Sequence, residues 1–442
     1  MPGVLLALGY ALLLLLLMRR MRFFTSVPGL PVVWTSWIFL LKIGSGMALW
    51  AVYTFIYPDR ATADVFKYFD DSAHMFKALP DHPGDYLRMI FGIGNDTPLF
   101  RDLYYQEMNN WVRHYESNIY NDAHTIIRFN AVVRLISFGE FHVHTVITAF
   151  LSLTGMVGLY RAFVTSLPGL ERALMIVIFL LPSVLFWASG VIKESLLFFG
   201  LGLLVHLVFR MLAGRVKWQD PLIIAFIAVM LFFLKFYVLM SLLPAMVLLI
   251  WARRFSGTAL WPKTLVVYGL FALIGLNLHH IVPGMDILGV LTMKQRDFVG
   301  LAIQMSSGSF VMPPVLLLPD TGLFLSQAPY ALYITLLGPM VHIGGSALGI
   351  VSAAENLAVL AFLTLCLVLH RPWKIVDGTL VSVMLLYVLL LALVIGWTTP
   401  VMGAIVRYRT PLLPFLMIAG LLLLDRDRIV TKWPWTRTLL ST

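Results

Sequence analysis

The residues best able to do chemistry are three aspartates in the one long polar stretch of the chain. Asp64, Asp70 and Asp71 lie in the sequence DVFKYFDD, just after an apolar run long enough to span a bilayer. In a helix, Asp64, Lys67, Tyr68 and Asp71 would share one face. A carboxylate there is able to act as a base on a hydroxyl group, or to hold a divalent cation such as Mg²⁺ or Mn²⁺. The alternative is an ordinary solvated helix, and the choice among the three aspartates stays open.

Two arginines near the end of the chain form a second candidate group. Arg407 and Arg409 lie in the sequence RYRTPLLP, which opens the last apolar helix at its predicted outer end. A guanidinium group binds two phosphate oxygens at once, so this pair is a candidate for holding a phosphate. The alternative is that both side chains reach out to lipid headgroups.

Lys235 is the third candidate, because it interrupts a long apolar zone. The sequence predicts a tight hairpin made of helices 221–234 and 238–251, with Lys235 and Tyr237 at its tip. A charged group at this depth in a membrane costs a few kcal/mol and needs an anion or a partner. An ion pair with Glu194 or Asp64 is the alternative to a ligand.

Other charged residues are predicted on the same side of the membrane: Lys193, Glu194, Lys294, Arg296 and Glu355. Lys193, Glu194 and Glu355 begin predicted helices, where a structural role is the alternative to a functional one. The histidines lack ligand spacing, so no histidine metal site is expected, and the chain has no phosphate-binding glycine loop.

The composition indicates how these residues are positioned. Of the 442 residues 60% are hydrophobic and only 12% are charged, which indicates a polytopic helical membrane protein. The net charge of +10 comes mostly from Arg and Lys at helix ends, as expected for cytoplasmic loops, so no nucleic-acid partner is expected. The single cysteine, Cys366, excludes a disulfide within the chain.

The apolar runs predict an all-α fold with about eleven transmembrane helices, in a range of about nine to thirteen. Twelve of the 22 acidic residues fall in 58–140, which is predicted as a helical extracytoplasmic domain between helices two and three. The predicted segments are 1–57 with the first two spans, 58–140, the bundle 141–280, a second outer or re-entrant segment 281–354, and the C-terminal spans 355–442.

Two further features of the prediction concern breaks in apolar runs. One helix is expected over 173–187. The run 328–350 contains Gly338-Pro339 and Gly344-Gly345, so it is predicted as two short spans, a re-entrant hairpin or an interfacial helix.

The layout resembles the C-type glycosyltransferase superfamily, whose members take a sugar from a polyprenyl-phosphate carrier on the outer face. Three features carry the resemblance: an acidic residue after an early helix, here Asp64 with Asp70 and Asp71 nearby; a second outer segment around 294–354; and the run from Arg407 to Pro414 that opens a late helix. The chain departs from the family pattern because its acidic residue follows the second helix and not the first.

The resemblance implies an enzyme of the inner membrane with its active site on the extracytoplasmic face. Its partners would be the polyprenyl-phosphate sugar, a glycan or lipid-linked acceptor, and membrane lipids. An aspartate would take the acceptor's proton in an inverting displacement. The implied donor-phosphate ligands are Arg407, Arg409, Lys235, Arg296 and Lys294, and the implied substrate-binding or supporting residues are Tyr68, Lys193, Glu194, Tyr237 and Glu355. The rings of Tyr68 and Trp111 would stack a sugar.

Other functions fit parts of the same pattern. An O-antigen-type polysaccharide polymerase or ligase would depend on arginines more than on a carboxylate base. A lipid or small-molecule transporter would show internal repeats and charges at mid-membrane, neither of which is evident here. A non-catalytic membrane scaffold would not need the clustered aspartates.

Overall fold

The computed structural model describes residues 2–57, 59–112, 120–282, 284–342 and 346–440. Within these ranges the regular structure is helical, apart from two isolated β-bridges. The helices of six or more residues are α1 (Pro2–Arg20), α2 (Val32–Ala51), α3 (Asp64–Asp81), α4 (Pro83–Phe91), α5 (Ala123–Ser137), α6 (Phe141–Phe163), α7 (Glu171–Phe179), α8 (Pro182–Trp187), α9 (Lys193–Leu212), α10 (Asp220–Arg254), α11 (Leu260–Leu276), α12 (Ile287–Gln304), α13 (Thr321–Leu336), α14 (Ala347–Val368), α15 (Gly378–Thr398), α16 (Met402–Tyr408), α17 (Leu413–Leu423) and α18 (Arg426–Lys432).

Seven helices in the described ranges are long and apolar enough to cross a membrane: α1, α2, α6, α9, α10, α14 and α15. The pair α16 and α17, bent by 60°, makes an eighth if it is one span. The prediction of an all-helical multi-pass membrane protein is therefore confirmed, whereas the count of about eleven is not. The helix predicted over 173–187 breaks at Leu180 and Leu181, before Pro182, so neither α7 nor α8 is long enough to count.

Helix α10 is assigned as one element of 35 residues, although Lys235 in its middle has φ −155° and ψ 73°, which is not helical. Lys235 contacts Glu194 at the start of α9, while Asp220 at the start of α10 pairs with Arg210 at the end of α9. Further along α10, Leu249 lines the same small apolar pocket as Phe209, which precedes Arg210 in α9. Both ends of α10 therefore lie at the same end of the bundle, and the chain doubles back at Lys235 as in the predicted hairpin.

Helix α6 packs closely against α9, because both have glycines where they cross. A Cβ atom on Gly202 would lie 1.8 Å from the carbonyl oxygen of Gly155, and one on Gly155 would lie 2.1 Å from that of Phe198. Small residues let membrane helices approach until their backbones touch. This contact fixes α9, and with it Glu194, against the centre of the bundle.

We expect Gly202→Val to lower the thermal stability of the protein in detergent by several degrees, because α6 and α9 would have to move apart. Overpacking of a close contact costs about 1–3 kcal/mol. Thermal unfolding monitored by circular dichroism measures the change. The control is Gly269→Val on α11, where a Cβ atom meets nothing within 4 Å. Equal melting temperatures for the two variants would contradict the prediction.

The polar helices α3 and α5 are joined to α6 by buried side chains. Arg134 donates to Ser72 Oγ at 2.7 Å and to the Phe69 carbonyl at 2.6 Å. His144 Nδ1 lies 2.7 Å from Asn130 Oδ1, and its Nε2 lies 2.8 Å from Ser137 Oγ. Because these groups are buried and hydrogen-bonded, they fix α3, which begins with Asp64, on the end of the bundle.

The second predicted outer segment contains α12 and α13. Helix α13 runs antiparallel to the end of α15, since Thr335 Oγ1 donates to the Ala392 carbonyl at 2.9 Å and Gly396 packs on the carbonyl of Ala331. Helix α13 ends at Leu336, next to the predicted break at Gly338-Pro339. The second predicted break, Gly344-Gly345, lies outside the described residues.

Candidate functional site

Arg407 lies at the centre of a charged site that joins four distant parts of the chain. Its Nη1 donates to Asp64 Oδ2 at 2.8 Å, and its Nη2 donates to Glu194 Oε2 at 2.9 Å. Its Nε lies 2.8 Å from Glu194 Oε1, with a geometry too poor for a hydrogen bond. The first turn of α3, the first turn of α9 and the last turn of α16 supply these three residues.

Lys235 completes this site from the break in α10. Its Nζ lies 3.7 Å from Glu194 Oε1, above the ring of Tyr408 at 4.2 Å and near that of Tyr237 at 5.5 Å. Cation–π contacts of this kind stabilise an ammonium group that is removed from water. We call Asp64, Glu194, Lys235 and Arg407 the outer charge cluster, after the side of the membrane that the sequence predicts for them.

The outer charge cluster has two carboxylates and two cations, and its members differ in exposure. The side chain of Glu194 is 1% exposed and that of Lys235 is 6% exposed, whereas that of Asp64 is 35% exposed. Buried ions need partners because desolvation costs several kcal/mol for each. Glu194 is therefore held by the cations, and Asp64 is the most exposed member of the cluster.

Lys193 is adjacent to Glu194 but belongs to a neighbouring ion pair. Its Nζ lies 2.8 Å from Asp122 Oδ1 and 5.2 Å from the centre of the Tyr68 ring. Tyr68 is only 1% exposed, and Trp111 lies between the rings of Tyr105 and His124, at 4.6 and 3.8 Å. Both rings are buried among protein side chains, and the stacking of a sugar on Tyr68 and Trp111 stays a prediction.

The other two aspartates have structural partners. Asp70 forms a largely exposed bidentate pair with Arg60, at 2.6 and 2.7 Å. Asp71 is buried and accepts the backbone N–H groups of Asn109 and Asn110, both at 2.8 Å. Burial raises the pKa of Asp71 to about 6, although the two hydrogen bonds act in the opposite direction. Both of its oxygens are occupied, so the structure brings only Asp64 to the cluster.

Arg409 and Glu355 lie apart from the outer charge cluster. Arg409 is 1% exposed and donates through Nη1 to Asn356 Oδ1 at 2.7 Å. Glu355 accepts the backbone N–H and the hydroxyl of Ser183, and so caps the start of α8. The two arginines predicted to bind one phosphate therefore face different surroundings.

Helix α12 carries the remaining predicted phosphate ligands. Its Phe298 ring centre lies 6.2 Å from that of Tyr408, the ring that contacts Lys235. On the same helix Arg296 is exposed and Lys294 is half-buried. Among the described residues no group of three or more His, Cys, Asp or Glu side chains is able to hold a metal ion. A role for Mg²⁺ or Mn²⁺ stays a prediction.

Lys42 is a buried charge that the sequence analysis missed. It lies inside the apolar helix α2, is 0% exposed, and donates to the carbonyl of Ala188 at 2.8 Å. On the same face of α2, Ser45 donates to the Leu185 carbonyl, and a Cβ atom on Gly46 would lie 2.5 Å from the carbonyl oxygen of Ser189. The sequence feature that could have identified Lys42 is a single lysine within an apolar span.

We expect Lys42→Met to reduce the sugar transfer that the sequence resemblance implies by about tenfold or more, while thermal stability stays the same or rises. Methionine keeps the volume and removes the buried charge, but the turn after α8, which leads to Glu194, loses its donor. Parallel activity and melting measurements test this. If Lys42→Met lowers the melting temperature along with the activity, the role of the lysine is purely structural.

Comparison of the chain with family models, with curated proteins and with solved structures gave no match.

Proposed function

We propose that the protein is an integral membrane glycosyltransferase that transfers a sugar from a polyprenyl-phosphate donor to a glycan or lipid-linked acceptor. The reaction takes place at the extracytoplasmic end of the bundle, in the inner membrane. The observation that carries the proposal is the 2.8 Å contact between Asp64 and Arg407, which joins the early carboxylate to the late arginine at one end of the membrane helices.

Asp64 has the properties that a general base needs. It is partly exposed, whereas Asp71 is buried and Asp70 is paired with Arg60. In the proposed reaction Asp64 takes the proton of the acceptor hydroxyl as its oxygen attacks the anomeric carbon. The bond from that carbon to the donor phosphate breaks, the phosphate leaves with the electron pair, and the carbon is inverted. Arg407 orients Asp64.

The opposite end of the bundle supports this sidedness. Arg19 and Arg20 end α1, Arg210 lies in the last turn of α9, and Arg253 and Arg254 end α10. Positively charged residues concentrate in cytoplasmic loops. The outer charge cluster lies at the start of α9 and hence at the end away from Arg210, which favours an extracytoplasmic site. Reporter fusions after Tyr57 and after His280 test the sidedness.

One observation favours the O-antigen-type polymerase or ligase instead. Because Asp64 already accepts a hydrogen bond from Arg407, transfer that depends on cations more than on a base fits this pairing.

The direct test is sugar transfer by membranes that contain the protein, supplied with a radiolabelled polyprenyl-phosphate sugar. Label should enter a glycan or lipid-linked product above the level in matched membranes without the protein. No gain in product with any such donor would reject the proposal.

A further inference from the structure

A cavity separate from the outer charge cluster lies between α13, α14 and α17. Its volume is about 410 Å³, within the range of about 300–1,000 Å³ typical of small-molecule sites. Its walls are almost entirely apolar, with Leu332, Leu336, Leu360 and Leu413 among the lining side chains. Pro329 and Tyr333 line it and are themselves exposed, so the cavity is accessible from the apolar surface of the bundle.

Two polar side chains, Arg409 and Asn356, line this apolar cavity. Arg409 is 1% exposed, and its Nε and Nη2 atoms have no hydrogen-bond partner; the same holds for Nδ2 of Asn356. A buried donor without an acceptor is unfavourable, most of all on a charged group. The cavity therefore offers several N–H groups to an acceptor from a ligand.

The charges nearby indicate that this acceptor is an anion. Arg407 and Lys235 are already paired with Asp64 and Glu194, so the outer charge cluster has no cation to spare. Glu355 offsets part of the charge of Arg409 through space, but its oxygens are held by Ser183. A guanidinium fork suits phosphate oxygens.

We propose that this cavity binds the phosphate and the adjoining part of the chain of a single-chain lipid phosphate. Arg409 and Asn356 hold the phosphate oxygens, and the leucines of α13, α14 and α17 enclose the apolar chain. As the carrier site of the sugar donor, it rests on the proposed function.

The test measures binding of radiolabelled farnesyl phosphate to the full-length protein in nanodiscs of phosphatidylcholine. Saturable binding is expected, and Arg409→Gln should weaken it by about tenfold or more, as for a lost bond to a charged group. Farnesol, which lacks the phosphate, should bind more weakly and equally to both proteins. Arg428→Gln, at an exposed arginine paired with Asp425, is the matched control and should bind like the wild type.

A second variant keeps the test decisive if Arg409→Gln fails to fold. Leu360→Trp leaves Arg409 in place, fills the cavity and should block farnesyl phosphate. Unchanged binding in either folded variant would overturn the proposal. So would equal competition by phosphatidylglycerol, which indicates ordinary membrane lipid, or by inorganic phosphate, which indicates a site for the free anion. The binding assay does not involve sugar transfer. Binding of farnesyl phosphate by a protein that has no transfer activity would therefore reject the proposed function and leave the proposed lipid-phosphate site standing.

Discussion

Replacement of Arg407 by glutamine is expected to give the largest loss of stability of any single substitution in the outer charge cluster. Glu194 is 1% exposed and would keep only Lys235, 3.7 Å away, as a partner. Removing one partner from a buried ion pair costs about 3–5 kcal/mol, because the remaining charge stays out of water. Thermal unfolding of purified protein in detergent, with size-exclusion chromatography to follow aggregation, measures the loss.

The matched control is Arg60→Gln, which breaks another pair of arginine and aspartate. Arg60 and Asp70 are 54% and 33% exposed, so this loss should be no more than about 1 kcal/mol. Equal melting temperatures for Arg407→Gln and Arg60→Gln would show that Glu194 does not depend on Arg407.

The second large effect is expected on activity: Asp64→Asn should reduce sugar transfer by about 10²–10⁴-fold, the usual contribution of a general base. Stability should change little, because the side chain is 35% exposed and an amide oxygen still accepts from Arg407. The measurement is initial rate with the labelled donor, at equal amounts of folded protein.

Two neighbouring aspartates serve as controls for this experiment. Asp70→Asn should retain wild-type rates, because Asp70 only pairs with Arg60. Asp71→Asn should act mainly by lowering the stability of the protein. An asparagine side chain has one oxygen and is unable to accept both backbone N–H groups of Asn109 and Asn110. If Asp64→Asn keeps its activity while Arg407→Gln loses it as a folded protein, the polymerase or ligase mechanism is the better one.

Much of the site could be predicted because charge is rare in this chain. With 12% charged residues, Asp64, Glu194, Lys235 and Arg407 stood out against the apolar runs, and each needed a partner. Their meeting at one end of the bundle followed from the predicted direction of each helix. The helical membrane class followed from composition alone.

Other features depend on three-dimensional packing that the pattern does not contain. Asp64 and Asp71 share a helix face in the sequence pattern, but Asp71 is buried against the loop at Asn109 and Asn110, whereas Asp64 binds Arg407. Arg407 and Arg409 are two residues apart and so point in different directions, to the charge cluster and to the apolar cavity. The predicted helix over 173–187 is divided into α7 and α8 before Pro182, a break that hydropathy does not show.

The doubling-back of α10 at Lys235 has a consequence for how the chain is made. Glu194 is synthesised before Lys235, and Arg407 comes last. While the ribosome is still extending the chain, Lys235 is therefore the only one of the two cations available to Glu194. Insertion of the hairpin next to α9 neutralises both groups early, and the arginine joins an acid that already has a partner. Glu194 would then gain a partner long before the last helices of the chain are made.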